Sequence, residues 1–167
     1  MGMHRIIKES YCWIMALSFV GLTVLGWYMM RLAFYDRWYH DALSFHKSLG
    51  MVMLFLVFLK MAGTFIRAGA VGGVRSFFSE IFVKKKISHP LFYLLVAVIT
   101  VSGYLISSSA GAPVSVFGLF RVPAVVMVTR GVEEAVIACH YYGAYVTALL
   151  VLLHGVTRLR LRLGWKR

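Results

Sequence analysis

The chain of 167 residues is 60% hydrophobic and only 14% charged, whereas a soluble domain carries about 25% charged residues. These proportions exclude a water-soluble globular protein and indicate a single integral membrane domain. The net charge of +12 does not point to nucleic acid, because the basic residues cluster at the ends of apolar runs, as membrane-topology determinants do.

The first apolar run extends from Tyr11 to Met30, after a lead containing His4, Arg5, Lys8 and Glu9. It is long enough to cross a hydrocarbon core. No small-residue cleavage site precedes the next charged segment, so it reads as a retained span rather than a signal peptide. A polar loop with Arg31, Asp36, Arg37, His40 and Asp41 leads to a second span over about 45–65. Lys60 sits well inside that span, where an ammonium has to snorkel or meet an anion, either a cofactor carboxylate or a lipid phosphate. A basic connection follows with Arg67, Arg75 and Lys84, Lys85 and Lys86; its glycines at 69, 72 and 73 predict a flexible link.

The third span, about 89–107, opens on His89 and Pro90, with proline in the first turn where its missing N–H costs least. The next segment is apolar but broken by glycine and proline, which predicts a cap over the membrane face rather than a span. Glu133 and Glu134 stand at the start of the fourth span, about 135–157, where negative charge suits the helix dipole. The predicted class is all-α integral membrane, an antiparallel four-helix transmembrane bundle. Of the 18 Lys and Arg residues, twelve fall in the N-terminal lead, the second connection and the C-terminal tail, and five in the other two connections. The positive-inside rule then puts both termini in the cytoplasm.

The fourth span holds His140 and His154, fourteen residues apart and without Asp, Glu, Lys or Arg between them. At that spacing the two lie within about 40° of one helix face and about 21 Å apart along the axis. Imidazoles inside a membrane need partners in the bundle interior, and the intervening Gly143, Ala144 and Thr147 leave a slot for something flat. Haem meets both demands, since its iron takes axial histidines. The attachment pattern Cys-x-x-Cys-His is absent from the sequence, so such a haem is held by coordination alone, as haem b.

Antiparallel topology pairs ligands by depth. His46 opens the second span on the same side as His140, and the two can grip one iron. Gly50 and Gly143 follow them at close helical spacing, where a missing side chain lets a porphyrin edge approach. His154 lies near the other surface, at the depth of Cys12 and His89. Lys60 falls fourteen residues after His46, towards that same surface. Cys12 could ligate as a thiolate, which needs strong local compensation in an apolar span, but such a cysteine is more often a small buried hydrophobe.

Four motifs in order carry a family resemblance over nearly the whole chain. They are His46-Lys47-Ser48-Leu49-Gly50 with basic Lys60, the His89-Pro90 opening of the third span, the segment Val116-Phe117-Gly118-Leu119-Phe120-Arg121-Val122-Pro123, and the His140/His154 pair. The chain resembles the bacterial cytochrome b561 family, four-helix di-haem b-type cytochromes of the inner membrane linked to quinone. The resemblance implies that His46 and His140 ligate an outer haem and that His154 is one ligand of an inner haem. The family's other inner ligand is a histidine directly before a tryptophan; here the pair reads Cys12-Trp13. Lys60 stands where the family has arginine and lacks its guanidinium fork. The implied activity is membrane electron transfer between quinone and a one-electron partner outside, of which superoxide is an example. A rival is a haem-bearing anchor subunit of a larger oxidoreductase complex; lipid, a redox partner protein and an oligomer fit either role.

Overall fold

The structure is a computed structural model that describes residues 2–82 and 88–162, with side chains placed for 9–66 and 91–160. Four helices dominate: α1 (Gly2–Met29), α2 (Arg37–Phe82), α3 (Ser88–Ser109) and α4 (Arg130–Arg162). Within them, Glu9–Met29, Arg37–Ile66, Leu91–Ser109 and Arg130–Arg160 are long and apolar enough to cross a membrane. Each helix packs on its neighbour in the chain, and α4 closes the ring against α1. The protein is a four-helix membrane bundle in which α1 and α3 form one diagonal and α2 and α4 the other.

The helices overrun the apolar segments. Asp36 Oδ1 accepts the Trp38 N–H at 2.9 Å, an N-cap that draws Arg37, His40 and Asp41 out of the expected loop and into α2. His40 stays exposed there, its ring edge-on to Phe34 and Tyr39. At its other end α2 continues unbroken to Phe82, so the link expected to be flexible is helical that far. A glycine costs only about 1 kcal/mol in a helix interior, and the glycines at 69, 72 and 73 are absorbed. Lys84, Lys85 and Lys86 lie outside the described residues.

The buried core is a thin thread of Met15, Phe19, Leu22, Met53, Val57, Val96, Ile99 and Ala148. Large apolar side chains face outward instead, such as Leu17, Phe58 and Leu152, as suits helices solvated by lipid.

The capping segment between α3 and α4 contains a hairpin that sequence reasoning did not anticipate. Strands β1 (Val114–Val116) and β2 (Phe120–Val122) pair antiparallel, with Val116 opposite Phe120. Phe117 and Gly118 both take positive φ, 49° and 74°, the combination that lets a tight turn follow the strands' twist. Leu119 N–H closes the turn on the Val116 carbonyl at 2.9 Å. Val114 and Val116 are buried, with β1 laid on α2 and α3.

Two serines fasten this cap. Ser48 Oγ on α2 accepts the Phe117 N–H at 3.0 Å and lies 2.8 and 3.1 Å from the Ser44 and Ser115 carbonyls, which share its one proton. Ser108 Oγ on α3 donates to the Val126 carbonyl at 2.7 Å and accepts the Val126 N–H at 3.0 Å. The hairpin therefore marks one end of the bundle, and this is the end where His46 and His140 lie.

Candidate cofactor site

His46 lies in the third turn of α2 and His140 in the third turn of α4, facing each other across the α2–α4 diagonal. Their ring centres are 6.2 Å apart and the ring planes cross at 79°. Metal–imidazole bonds run about 2.0–2.1 Å, and a ring centre lies about 1.1 Å beyond its ligating nitrogen. Two imidazoles on opposite sides of one metal ion therefore have centres roughly 6 Å apart. The spacing fits a six-coordinate haem iron and leaves no gap for a bridging water or side chain.

The His140 ring is held in a defined tautomer. Its Nδ1 lies 2.8 Å from the Ile99 carbonyl and 3.2 Å from Ser102 Oγ. A carbonyl only accepts, so Nδ1 carries the proton and Nε2 keeps its lone pair for a metal. His46 Nδ1 is buried and faces the backbone of Leu22 on α1.

Each imidazole lies against a glycine of the neighbouring helix. A Cβ on Gly26 of α1 would sit 3.2 Å from His46 Cε1. A Cβ on Gly103 of α3 would sit 2.7 Å from His140 Cε1 and 3.1 Å from its Nδ1. Sequence reasoning singled out neither residue. The available signal was a lone glycine near the hairpin-side end of each span that runs towards the histidines. Gly103 stands four residues after Ile99, so its bare backbone and the Ile99 carbonyl belong to adjacent turns of one face.

The two glycines that the sequence did single out have different surroundings. Gly50 borders a cavity of about 150 Å³ together with both histidines, Lys47, Thr100, Gly103 and Tyr104, and a Cβ there meets nothing within 4 Å. At Gly143 a Cβ would lie 2.5 Å from Ile99 Cδ1. Gly143 thus lets α4 close on α3, and so seats the turn whose carbonyl receives His140.

The opposite end of the bundle is built from other chemistry. The His154 ring packs edge-on against Phe92, with centres 5.2 Å apart. Cys12 Sγ lies 3.4 Å from the Tyr93 hydroxyl, a hydrogen bond across the α1–α3 diagonal. Tyr11 donates to the Leu56 carbonyl at 2.9 Å. Lys60 Nζ stands 5.5 Å and 5.8 Å from the ring centres of Tyr11 and Tyr93, within cation–π range. Trp13 lies against the α4 backbone, 3.9 Å from where a Cβ on Gly155 would be. The fold thus brings His46, His140 and Gly50 to one site and puts His154 and Lys60 at the other end. The side chains of His4 and His89 lie outside the described residues.

Comparison with known proteins agrees with this architecture. A family model described as prokaryotic cytochrome b561 matches residues 12–166. The chain is 32% identical to cytochrome b561 homolog 2 of Escherichia coli strain K12 over 157 residues, covering 94% of this chain and 83% of that protein. No solved structure matches it.

Proposed function

The chain belongs to the prokaryotic cytochrome b561 family and is a haem b electron-transfer protein of the bacterial membrane; from that premise we propose that His46 and His140 are the axial ligands of a haem near the periplasmic surface, through which electrons pass between membrane quinone and a one-electron partner outside. The observation that carries this reading is the His46–His140 pair, two imidazoles 6.2 Å apart on separate helices.

Bound there, haem supplies one-electron redox chemistry. The chain's own residues do the rest. The Ile99 carbonyl orients His140 and raises its basicity through the Nδ1 proton. Phe19, Leu22 and Ile99 form an apolar wall that excludes water from the ligands. Lys47, half-buried at the cavity, and the exposed Arg121 and Arg130 form a positive field that attracts an anionic partner such as superoxide. The distribution of basic residues favours cytoplasmic termini, which turns the hairpin towards the periplasm.

The test is haem content and spectrum of the purified protein. Wild type is expected to show the Soret and α bands of a low-spin haem that a quinol reduces. His46→Ala and His140→Ala are each expected to lose that spectrum. Either variant retaining an unchanged low-spin spectrum refutes the ligand assignment.

A further inference from the structure

We infer that the chain holds a single haem, at the hairpin end, and that the opposite end is closed by a thiol–phenol–ammonium cluster in place of a second one. The inference rests on the proposed His46–His140 haem and concerns the residues at the depth of His154.

A second haem between the helices at that depth needs another axial ligand facing His154 and an open plane for the porphyrin. The described residues there are engaged otherwise. Cys12, the one described thiol at this end, is hydrogen-bonded to the Tyr93 hydroxyl at 3.4 Å. That contact ties α1 to α3 across the interior, and a flat ring spanning the bundle would have to break it. Phe92 covers an edge of the His154 ring. Trp13 fills the space between α1 and α4 next to His154, in ordinary van der Waals contact with the Gly155 position.

Charge argues the same way. Lys60 brings an ammonium over the faces of Tyr11 and Tyr93. The tyrosines give that cation its electrostatic partner inside the bundle, and their hydroxyls reach Leu56 and Cys12. The cluster is polar but internally satisfied, which is how buried polar groups persist in an apolar interior. The contrast with the hairpin end is direct. There the positions facing the histidines are glycines, and the ring that His46 meets is the imidazole of His140, whereas the ring against His154 is that of Phe92.

The experiment is haem quantification per polypeptide, with a potentiometric titration, on the purified full chain. Wild type is expected to bind one haem and to titrate as one single-electron wave. Cys12→Ala, His89→Ala and His154→Ala are each expected to keep that ratio and that wave, whereas His46→Ala loses both. Two haems per chain, two resolved waves, or a thiolate-type spectrum removed by Cys12→Ala overturns the inference while leaving the His46–His140 haem in place. A single haem that survives His46→Ala and vanishes in His154→Ala overturns the inference and the reading beneath it together. A wild-type chain without haem refutes that underlying reading directly. The wild-type ratio and wave decide the matter even if a variant fails to fold.

Discussion

Gly103 offers the sharpest test of how His140, the proposed ligand, is held. In Gly103→Ala the new methyl would lie 2.7 Å from Cε1 and 3.1 Å from Nδ1 of His140, closer than such carbons come. The ring has to give way, yet it is pinned by the Ile99 carbonyl at 2.8 Å and by Ser102 Oγ at 3.2 Å. Overpacking of this kind costs about 1–3 kcal/mol, and loss of the Nδ1 hydrogen bond a further 0.5–1.5 kcal/mol or so. Haem affinity is therefore expected to fall by roughly 10- to 1,000-fold, at about 1.4 kcal/mol per decade. The helix itself gains up to about 1 kcal/mol from alanine over glycine, so the fold is expected to survive.

The assay is the rate and extent of haem loss to an excess of a soluble haem-binding protein, with helicity followed by circular dichroism. Gly21→Ala on α1 is the control, because its methyl also meets nothing within 4 Å and Gly21 does not line the histidine cavity. It is expected to retain haem like wild type, within about 0.5 kcal/mol, as substitutions away from special contacts do. Wild-type haem retention in Gly103→Ala, or equal losses in both variants, would refute the claim that Gly103 makes room for the ligand.

Other perturbations probe the hairpin cap. Ser48→Ala removes the acceptor of the Phe117 N–H, and leaving a buried donor unmatched costs about 1–3 kcal/mol; amide exchange at Phe117 and its neighbours is expected to accelerate while the helix cores stay protected. Gly118→Ala places a side chain at φ 74°, where an L-residue loses roughly 1–2 kcal/mol. Because a Cβ there meets no neighbour, the whole effect is backbone strain, read as a lower thermal midpoint with an unchanged haem spectrum. The double variant Ser48→Ala/Gly118→Ala is expected to be less than additive, since both act on one turn.

The four helices were legible because each carries an uncharged or nearly uncharged apolar run long enough to span a bilayer, and lipid leaves the backbone few alternatives to helix. Their ends were not. Asp36 as an N-cap and the helical passage to Phe82 depend on local hydrogen bonding, which a hydropathy pattern does not register. His46 and His140 could be paired from the sequence because antiparallel topology equates depth with distance from a span's start. Gly26 and Gly103 could not be assigned that way, since each acts on a residue of another helix and its helical phase gives no hint of that neighbour. The hairpin escaped notice because its strands are three residues each and rest on Ser48, which belongs to a distant part of the chain.

The two ends of the bundle differ in which diagonal they tie. At the hairpin end α1 and α3 contribute the bare backbones of Gly26 and Gly103, so the imidazoles of α2 and α4 swing onto them and meet across the interior at 6.2 Å. At the opposite end α1 and α3 contribute Cys12 and Tyr93, which reach each other at 3.4 Å and bridge the other diagonal. A ring of four antiparallel helices has one interior, and at a given depth it is either held open for a flat group by side chains on one diagonal or drawn shut by side chains on the other. The alternation of small and polar residues along α1 and α3, set against the fourteen-residue spacing of His46 to Lys60 and of His140 to His154, therefore sets where along the membrane normal the proposed haem has room.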